Sequence, residues 1–301
     1  MSSLKHKPTL TIFTPAYNRA YTLHLCYESM LRQKNKDFEW LIVDDGSTDN
    51  TKELVEKWMK ADNGFDIRYI YKENGGMHTA HNTAYENIHT ELNVCIDSDD
   101  KMAPGAVERI KSTWEKIRDK GYAGIIALDS DFSGNIIGKG FPHDMLETTL
   151  GGYYAAGGTG DKKLIYRTDV INSVLPYPVF PGEKYVGLVY KYTLVDQKYK
   201  LYVMNEVVCE VEYQADGSTG TMWKQYLKNP KGFAFLRKVA MQYPTSRKRL
   251  IRDCIHYCSS SQIAKNRRYV QESPRKLLTV LCTPFGWLLT RIIKKRAKEK
   301  V

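Results

Sequence analysis

Disulfide spacing, long apolar runs and, beyond residue 220, acidic side chains are all scarce in this 301-residue sequence, and each shortage narrows what the chain can be. The six cysteines, Cys26, Cys95, Cys209, Cys254, Cys258 and Cys282, show no paired framework, which argues against a disulfide-stapled secreted scaffold and favours reduced thiols in the cytosol. Cys254 and Cys258 share a helix face at i, i+4 around His256, but no second Cys or His pair completes a zinc set, so they read as packing. The start, MSSLKHKPTLTIF, is basic without a long apolar stretch or a small-residue cleavage pattern, and no signal peptide is expected. The longest apolar segment, 277–293, is interrupted by Pro284, Gly286 and Arg291 and falls short of the roughly 20 residues of a comfortable bilayer crossing. Neither an internal repeat nor a low-complexity tract is present.

Charge is unevenly spread. Residues 1–220 carry 25 Lys and Arg against 31 Asp and Glu, whereas 221–301 carry 20 against 3, a net +17. An acidic body followed by a basic tail points to an anionic partner for the tail, either membrane phosphate or nucleic acid.

Within the body, short β-rich runs alternate with helical patterns. Residues 9–14 form the first run and 38–43 the second; Ile67–Tyr71 and Leu92–Ile96 follow, with a fifth near Ala123–Leu128. Helical patterns of about 10–15 residues lie between them, including one over about 104–119, and this alternation predicts a parallel sheet covered by helices. After residue 130 glycines punctuate a loop-rich stretch suited to a mobile, substrate-facing wall. Regular structure is expected again at Lys163–Tyr166, in a helix over about 184–199 and in a strand over Leu201–Tyr213. From Met222 the reading is helical, broken at Pro230, Pro244, Pro274 and Pro284.

Three predicted strands end in polar or acidic groups. The first leads into Thr14-Pro15-Ala16-Tyr17-Asn18-Arg19, the second into Asp44-Asp45-Gly46-Ser47 and the fourth into Asp97-Ser98-Asp99-Asp100. In a parallel sheet these emerge on one edge, where ligand sites of open α/β sheets collect. Three carboxylates in four residues repel one another and resist desolvation, so a partly enclosed tetrad implies a compensating cation. An oxygen-only donor set suits Mg2+ or Mn2+, which bind through one or two carboxylates plus substrate diphosphate oxygens.

The ordered motifs TPAYNR, VDDGSTDNT, NGGMHTAHN and CIDSDD, over about residues 8–220, resemble the family 2 glycosyltransferases of bacterial cell-surface polysaccharide synthesis. The resemblance implies an α/β fold of the GT-A nucleotide-sugar type, a Rossmann-like mixed sheet flanked by helices. Its nucleotide-binding half would span about 8–128 and its acceptor half about 129–220, with 221–301 as a basic helical extension. It implies an inverting hexosyl or N-acetylhexosaminyl transfer from a nucleotide sugar, most often a UDP-sugar, to a hydroxyl of a glycan or glycolipid acceptor. Carried over residue by residue, Pro15 and Tyr17 would line the uracil pocket and Asp45, with Asp44, would bond the base. Asp97 would sit near ribose and metal, and Asp99 would be the direct metal ligand and a catalytic residue, with Asp100 behind it or capping the next helix. Thr14, Arg19, Gly76 and Ser98 complete the implied nucleotide-sugar-binding set.

Two motifs depart from the family pattern. Where many relatives carry basic residues in the Gly-Gly segment, this chain has Met77, His78 and His81; His78 and Asn82, at i, i+4, are the expected diphosphate contacts. An inverting transfer needs a general base. The Glu-Asp pair that supplies it in relatives is reduced to Glu183 followed by Lys184, so Glu183 is the expected base and Asp161 the reserve.

The basic flanks of 277–293, with Phe285 and Trp287 inside, suit a segment lying in the headgroup region of an anionic membrane, at the inner face of the plasma membrane, or one packing against a second copy. No nucleic-acid partner is expected, because a carboxylate-lined crevice repels polynucleotide. The competing readings are a haloacid dehalogenase-like phosphohydrolase, a non-catalytic membrane- or nucleic-acid-binding module, and a degenerate member of the transferase family.

Overall fold

The computed structural model describes residues 8–212 and 222–299. The boundary expected at 220, the end of the strand expected to reach Tyr213, and the first residues of the amino terminus lie outside this range. Among the described residues, those up to Pro176 together with Leu194–Glu212 form one compact unit, and Tyr177–Thr193 together with those from Met222 onward form a second.

The first unit is built on nine strands: β1 (Leu10–Ala16), β2 (Phe38–Asp44), β3 (Asp66–Tyr71), β4 (Leu92–Cys95), β5 (Lys101–Met102), β6 (Gly124–Asp131), β7 (Glu147–Thr148), β8 (Lys162–Arg167) and β9 (Leu201–Val211). They form one sheet in the order β3-β2-β1-β4-β8-β6-β9-β5, with β7 on β9. The pairs among β1 to β4 are parallel, with Leu10 opposite both Phe38 and Leu92. β8 then inserts antiparallel between β4 and β6, so the sheet is mixed and β6 does not continue the parallel run.

The central strands are buried on both faces, and the sequence meets that demand with near-continuous apolar runs such as Trp40-Leu41-Ile42-Val43. Helices Ala20–Leu31, Thr51–Met59 and Ala106–Ile117 press Leu23, Cys26, Met30, Val55, Trp58, Ile110 and Trp114 into the same core. Tyr27 stacks on Trp58 with ring centroids 4.3 Å apart, a contact with aromatic packing beyond its buried area.

The second unit is helical: Met222–Lys228, Pro230–Gln242, Arg247–Ile263, Tyr269–Glu272 and Lys276–Glu299. Pro230 opens its helix at the first position, where the missing N–H costs nothing. Pro284, expected to break a helix, instead lies inside Lys276–Glu299. The helix expected over 184–199 is confined to Val189–Val195.

All six cysteines are free thiols, and Cys254, Cys258 and Cys282 pack together, in keeping with the packed face expected for the first two.

Candidate active site

Topology gathers the chemistry. The parallel strands β1 to β4 send their carboxyl ends to one sheet edge, and the reversal at β8 brings its beginning, with the end of β6, to the same rim. The rim therefore holds Tyr17, Asp44, Asp45, Lys72, the acidic tetrad, Asp161, Lys163 and Asp129.

The turns after β1 and β2 are tied together. The Asp45 amide donates to the Ala16 carbonyl at 2.8 Å, the Asn18 amide to Ser47 Oγ at 2.9 Å and the Thr48 amide to Asn18 Oδ1 at 2.8 Å. Asn18 takes a φ of 51°, the left-handed region that Asn tolerates better than most side chains. Between them Tyr17 stands 49% exposed, free to meet a planar ligand. Arg19 lies behind, donating to the Tyr21 hydroxyl. Pro15 is buried within β1, opposite Val43. Thr14, expected at the nucleotide, is turned into the core, where its Oγ1 accepts from Trp40 Nε1 at 2.9 Å.

Asp44 and Asp45 were expected to read a base, and the structure gives both another duty. Asp44 accepts from the Ser47 amide at 2.7 Å and from the Tyr69 hydroxyl at 2.6 Å, while burial and Asp44 together push the Tyr69 phenol pKa up. Asp45 accepts from Lys72 Nζ at 2.6 Å and from the amides of Gly75 and Gly76 at 2.9 and 2.7 Å. A carboxylate so occupied has little capacity left for a base. It fastens the Gly-Gly turn to the end of β2, and Gly76, with a φ of 94°, supplies a backbone that a side chain would strain.

His78 opens the helix Met77–Asn87 but points inward. It is buried, neither ring nitrogen has a partner among the described residues, and burial lowers its pKa to about 4. The ring is neutral at physiological pH, so it offers one N–H at most and no charge. His81 is also buried, edge-on to Phe13, with Nε2 3.8 Å from Cys95 Sγ. Asn82 is half-buried in the same helix.

The tetrad divides by direction. Asp97 and Asp99 remain partly exposed on the rim, and Ser98 is buried between them. Asp100 is buried with Oδ2 3.8 Å from Lys163 Nζ and 3.6 Å from Cys209 Sγ. It caps nothing: the helix that follows begins after Gly105 without a side-chain cap.

Burial, with Asp97 and Asp99 nearby, raises the Asp100 pKa to about 8 against the pull of Lys163. Asp129, 2% exposed and with no partner for Oδ1 among the described residues, is raised by burial to about 6. Burial alone would lower Lys163, yet Asp129, Cys209, Asp100 and Asp97 hold its ammonium well above the ordinary lysine range. The compensating cation is thus partly supplied by the chain itself.

Lys163 and Asp129 did not stand out in the sequence. A lysine opening an apolar strand, and an acid one residue past a predicted strand end, were the available signals.

Asp97 and Asp99 are oxygen donors of the kind Mg2+ and Mn2+ accept alongside diphosphate oxygens. Among the described residues no group of three or more His, Cys, Asp or Glu is arranged to hold a metal ion.

The glycine-rich stretch expected to be a mobile wall is cross-braced. Lys162 Nζ donates to the carbonyls of Ile137, Thr159 and Asp161 at 3.0–3.1 Å, and the Tyr153 hydroxyl to that of Lys139 at 2.7 Å.

Glu183, the expected base, belongs to the helical unit. Its two oxygens accept from the amides of Lys231 and Gly232 at 3.0 and 2.9 Å, at the start of Pro230–Gln242. These two bonds engage both carboxylate oxygens at the amino end of that helix, which gives Glu183 a helix-capping position.

Cavities of about 560 and 790 Å³ open at the opposite edge, beside the starts of the strands.

Comparison with known proteins agrees with this architecture. Over 142 residues, 46% of this chain, it is 34% identical to a hyaluronan synthase of Pasteurella multocida, and over 140 residues, also 46%, 33% identical to a chondroitin synthase of Escherichia coli. The matched parts cover only 14% and 20% of those relatives.

In structure, the chain is similar to S. aureus TarS 1–349 in complex with UDP-GlcNAc, with a TM-score of 0.60, 14% identity, and coverage of 97% of this chain and 92% of that one. It is also similar to the mannosyltransferase PcManGT from Pyrobaculum calidifontis in complex with GDP-Man and Mn2+, with a TM-score of 0.56, 15% identity, and coverage of 98% and 85%. These likenesses identify the fold as the GT-A type. The sequence model described as glycosyl transferase family 2 matches residues 11–166, more than half of the chain, which therefore belongs to that family.

Proposed function

We propose that the chain is a metal-assisted, inverting hexosyl- or N-acetylhexosaminyltransferase that moves a sugar from a UDP-sugar to a hydroxyl of a lipid-linked glycan or a growing cell-surface polysaccharide. It would work in the cytoplasm at the inner face of the plasma membrane. The observation that carries the reading is the shared rim, on which Tyr17 is exposed, Asp97 and Asp99 are partly exposed, and Asp100 is buried beside Lys163. The names of the relatives, two glycosaminoglycan synthases and a structure bound to UDP-GlcNAc, support the same chemistry.

In this reading Tyr17 stacks on the base, and the tied turns after β1 and β2 set the floor of its pocket. Asp97 and Asp99 would hold Mg2+ or Mn2+, which when bound supplies charge neutralisation to the departing diphosphate. Lys163, paired with Asp100 behind the tetrad, supplies a fixed positive charge beside it.

The base is assigned to Asp161, an exposed carboxylate opening β8 on the same rim, because Glu183 is committed to two amides. It would accept the acceptor hydroxyl proton as that oxygen attacks the anomeric carbon.

The test is a screen of UDP-sugars with manganese and with magnesium, read by release of UDP. Turnover is expected with at least one donor, and Asp99→Ala should abolish it while leaving the thermal midpoint unchanged or higher. Release of phosphate from simple phosphate esters, with no UDP from any donor, would favour a phosphohydrolase.

A further inference from the structure

Up to Thr290 the helix Lys276–Glu299 buries small or polar residues, Thr279, Cys282, Gly286 and Thr290, and exposes apolar ones; beyond that point it buries Ile293 and Ala297 and exposes lysines. The small or polar set meets the helix Arg247–Ile263 through hydrogen bonds: Thr290 Oγ1 lies 2.9 Å from Ser259 Oγ, and Cys254 Sγ lies 3.5 Å from Thr279 Oγ1. At Gly286 the two helices are so close that a Cβ would stand 2.4 Å from Cys258 Cβ. The opposite face presents Leu277, Val280, Leu281, Phe285, Trp287 and Leu288, each more than half exposed.

A helix in water arranges itself the other way round, with its apolar stripe against the core. Small and polar residues at the helix–helix contact, with apolar residues outside, are what packing in lipid favours.

The charges select among occupants of the apolar face. Arg275, Lys276, Arg291, Lys294, Lys295, Arg296 and Lys298 bracket it, and no Asp or Glu occurs from 273 to 298. A second copy, parallel or antiparallel, would set cations against cations at both ends. An anionic bilayer surface would meet all of them favourably.

The helix is long and apolar enough by composition to cross a membrane. Between Lys276 and Arg291, however, the uncharged stretch measures only about 21 Å at 1.5 Å per residue, against a hydrocarbon core of about 30 Å.

We infer that this helix lies in the plane of an anionic lipid surface, with its Leu277–Leu288 face inserted below the headgroups and its basic ends on lipid phosphate. This deepens the proposed function by specifying how the enzyme would meet the membrane that carries its acceptor.

The test uses the full chain with vesicles of phosphatidylcholine alone and of phosphatidylcholine with phosphatidylglycerol, read by co-sedimentation, with UDP release measured in parallel. Wild type should bind the anionic vesicles and leave the neutral ones largely free. Leu281→Glu with Leu288→Glu, both on the outward face, should weaken binding roughly tenfold or more. Lys294→Gln with Lys295→Gln should weaken it on anionic vesicles only. The inference fails if wild type ignores anionic vesicles, if the Glu variant binds them as well as wild type, if the chain binds DNA but not vesicles at matched salt, or if it forms a dimer that the Glu variant dissolves. Loss of UDP release with vesicle binding intact would count against the transferase reading alone.

Discussion

Lys163 Nζ stands 3.8 Å from Asp100 Oδ2, a buried ion pair directly behind the two carboxylates that face the rim. Asp129 and Asp97 contribute to the same field. Replacing Lys163 by Met should leave several carboxylates without their countercharge and lower stability by about 3 kcal/mol, measured by urea unfolding. Adding Asp100→Asn to that variant should recover part of the loss. Independent, additive effects of the two substitutions would show that the pair is not coupled.

Acid should loosen the protein through His78. Its folded pKa of about 4 lies below the ordinary 6.5, so the unfolded chain takes up a proton that the folded chain refuses. The His78 contribution is complete above pH 6.5 and declines as pH falls toward 4. By the size of the shift this is about 3 kcal/mol at its fullest. His256, lowered to about 4 by burial and by Arg237 and Arg252, should add to the slope. Urea midpoints followed from pH 7 to pH 4 should fall less steeply in His78→Phe, and an unchanged slope would mean that folding leaves the His78 pKa where it is in the unfolded chain.

Glu183→Gln separates capping from catalysis. Loss of the charge at the start of Pro230–Gln242 should cost about 1 kcal/mol and leave turnover nearly intact. Asp161→Asn should do the reverse, lowering turnover about 100-fold or more with the unfolding midpoint preserved. If Glu183→Gln lost turnover on that scale with little change in stability, the base assignment would return to Glu183.

Removal of divalent metal with a chelator should stop UDP release, and added Mn2+ or Mg2+ should restore it. Full turnover in excess chelator would show that Asp97 and Asp99 act without a metal.

Asp45→Ala should free the amides of Gly75 and Gly76 and leave Lys72 without its partner. A loss of about 3 kcal/mol is expected. Hydrogen exchange at those two amides should rise before exchange elsewhere in the sheet, and uniform protection would mean that another group holds the turn.

The sheet and its acidic edge were legible because they are local. Apolar runs such as Trp40–Val43 and Leu92–Val94 announce buried parallel strands, and the residues that end them are adjacent in sequence. What lay hidden depends on distant pairing. The insertion of β8 between β4 and β6 makes Lys163 a neighbour of Asp100, a separation that no periodicity spans. The bonds that Asp44, Asp45 and Glu183 make within the fold were hidden for the same reason, since their partners Tyr69, Gly76 and Gly232 come from other segments. Pro284 misled through a local rule, the proline break, which the surrounding helix overrode.

Gly138 and Gly160 face each other so closely that a Cβ on either would come within 2.2 Å of a backbone oxygen of the other's segment. Any side chain there would pry the two loops apart. The outline of this wall therefore rests on both positions remaining glycine, and a substitution at either one should disturb both loops together.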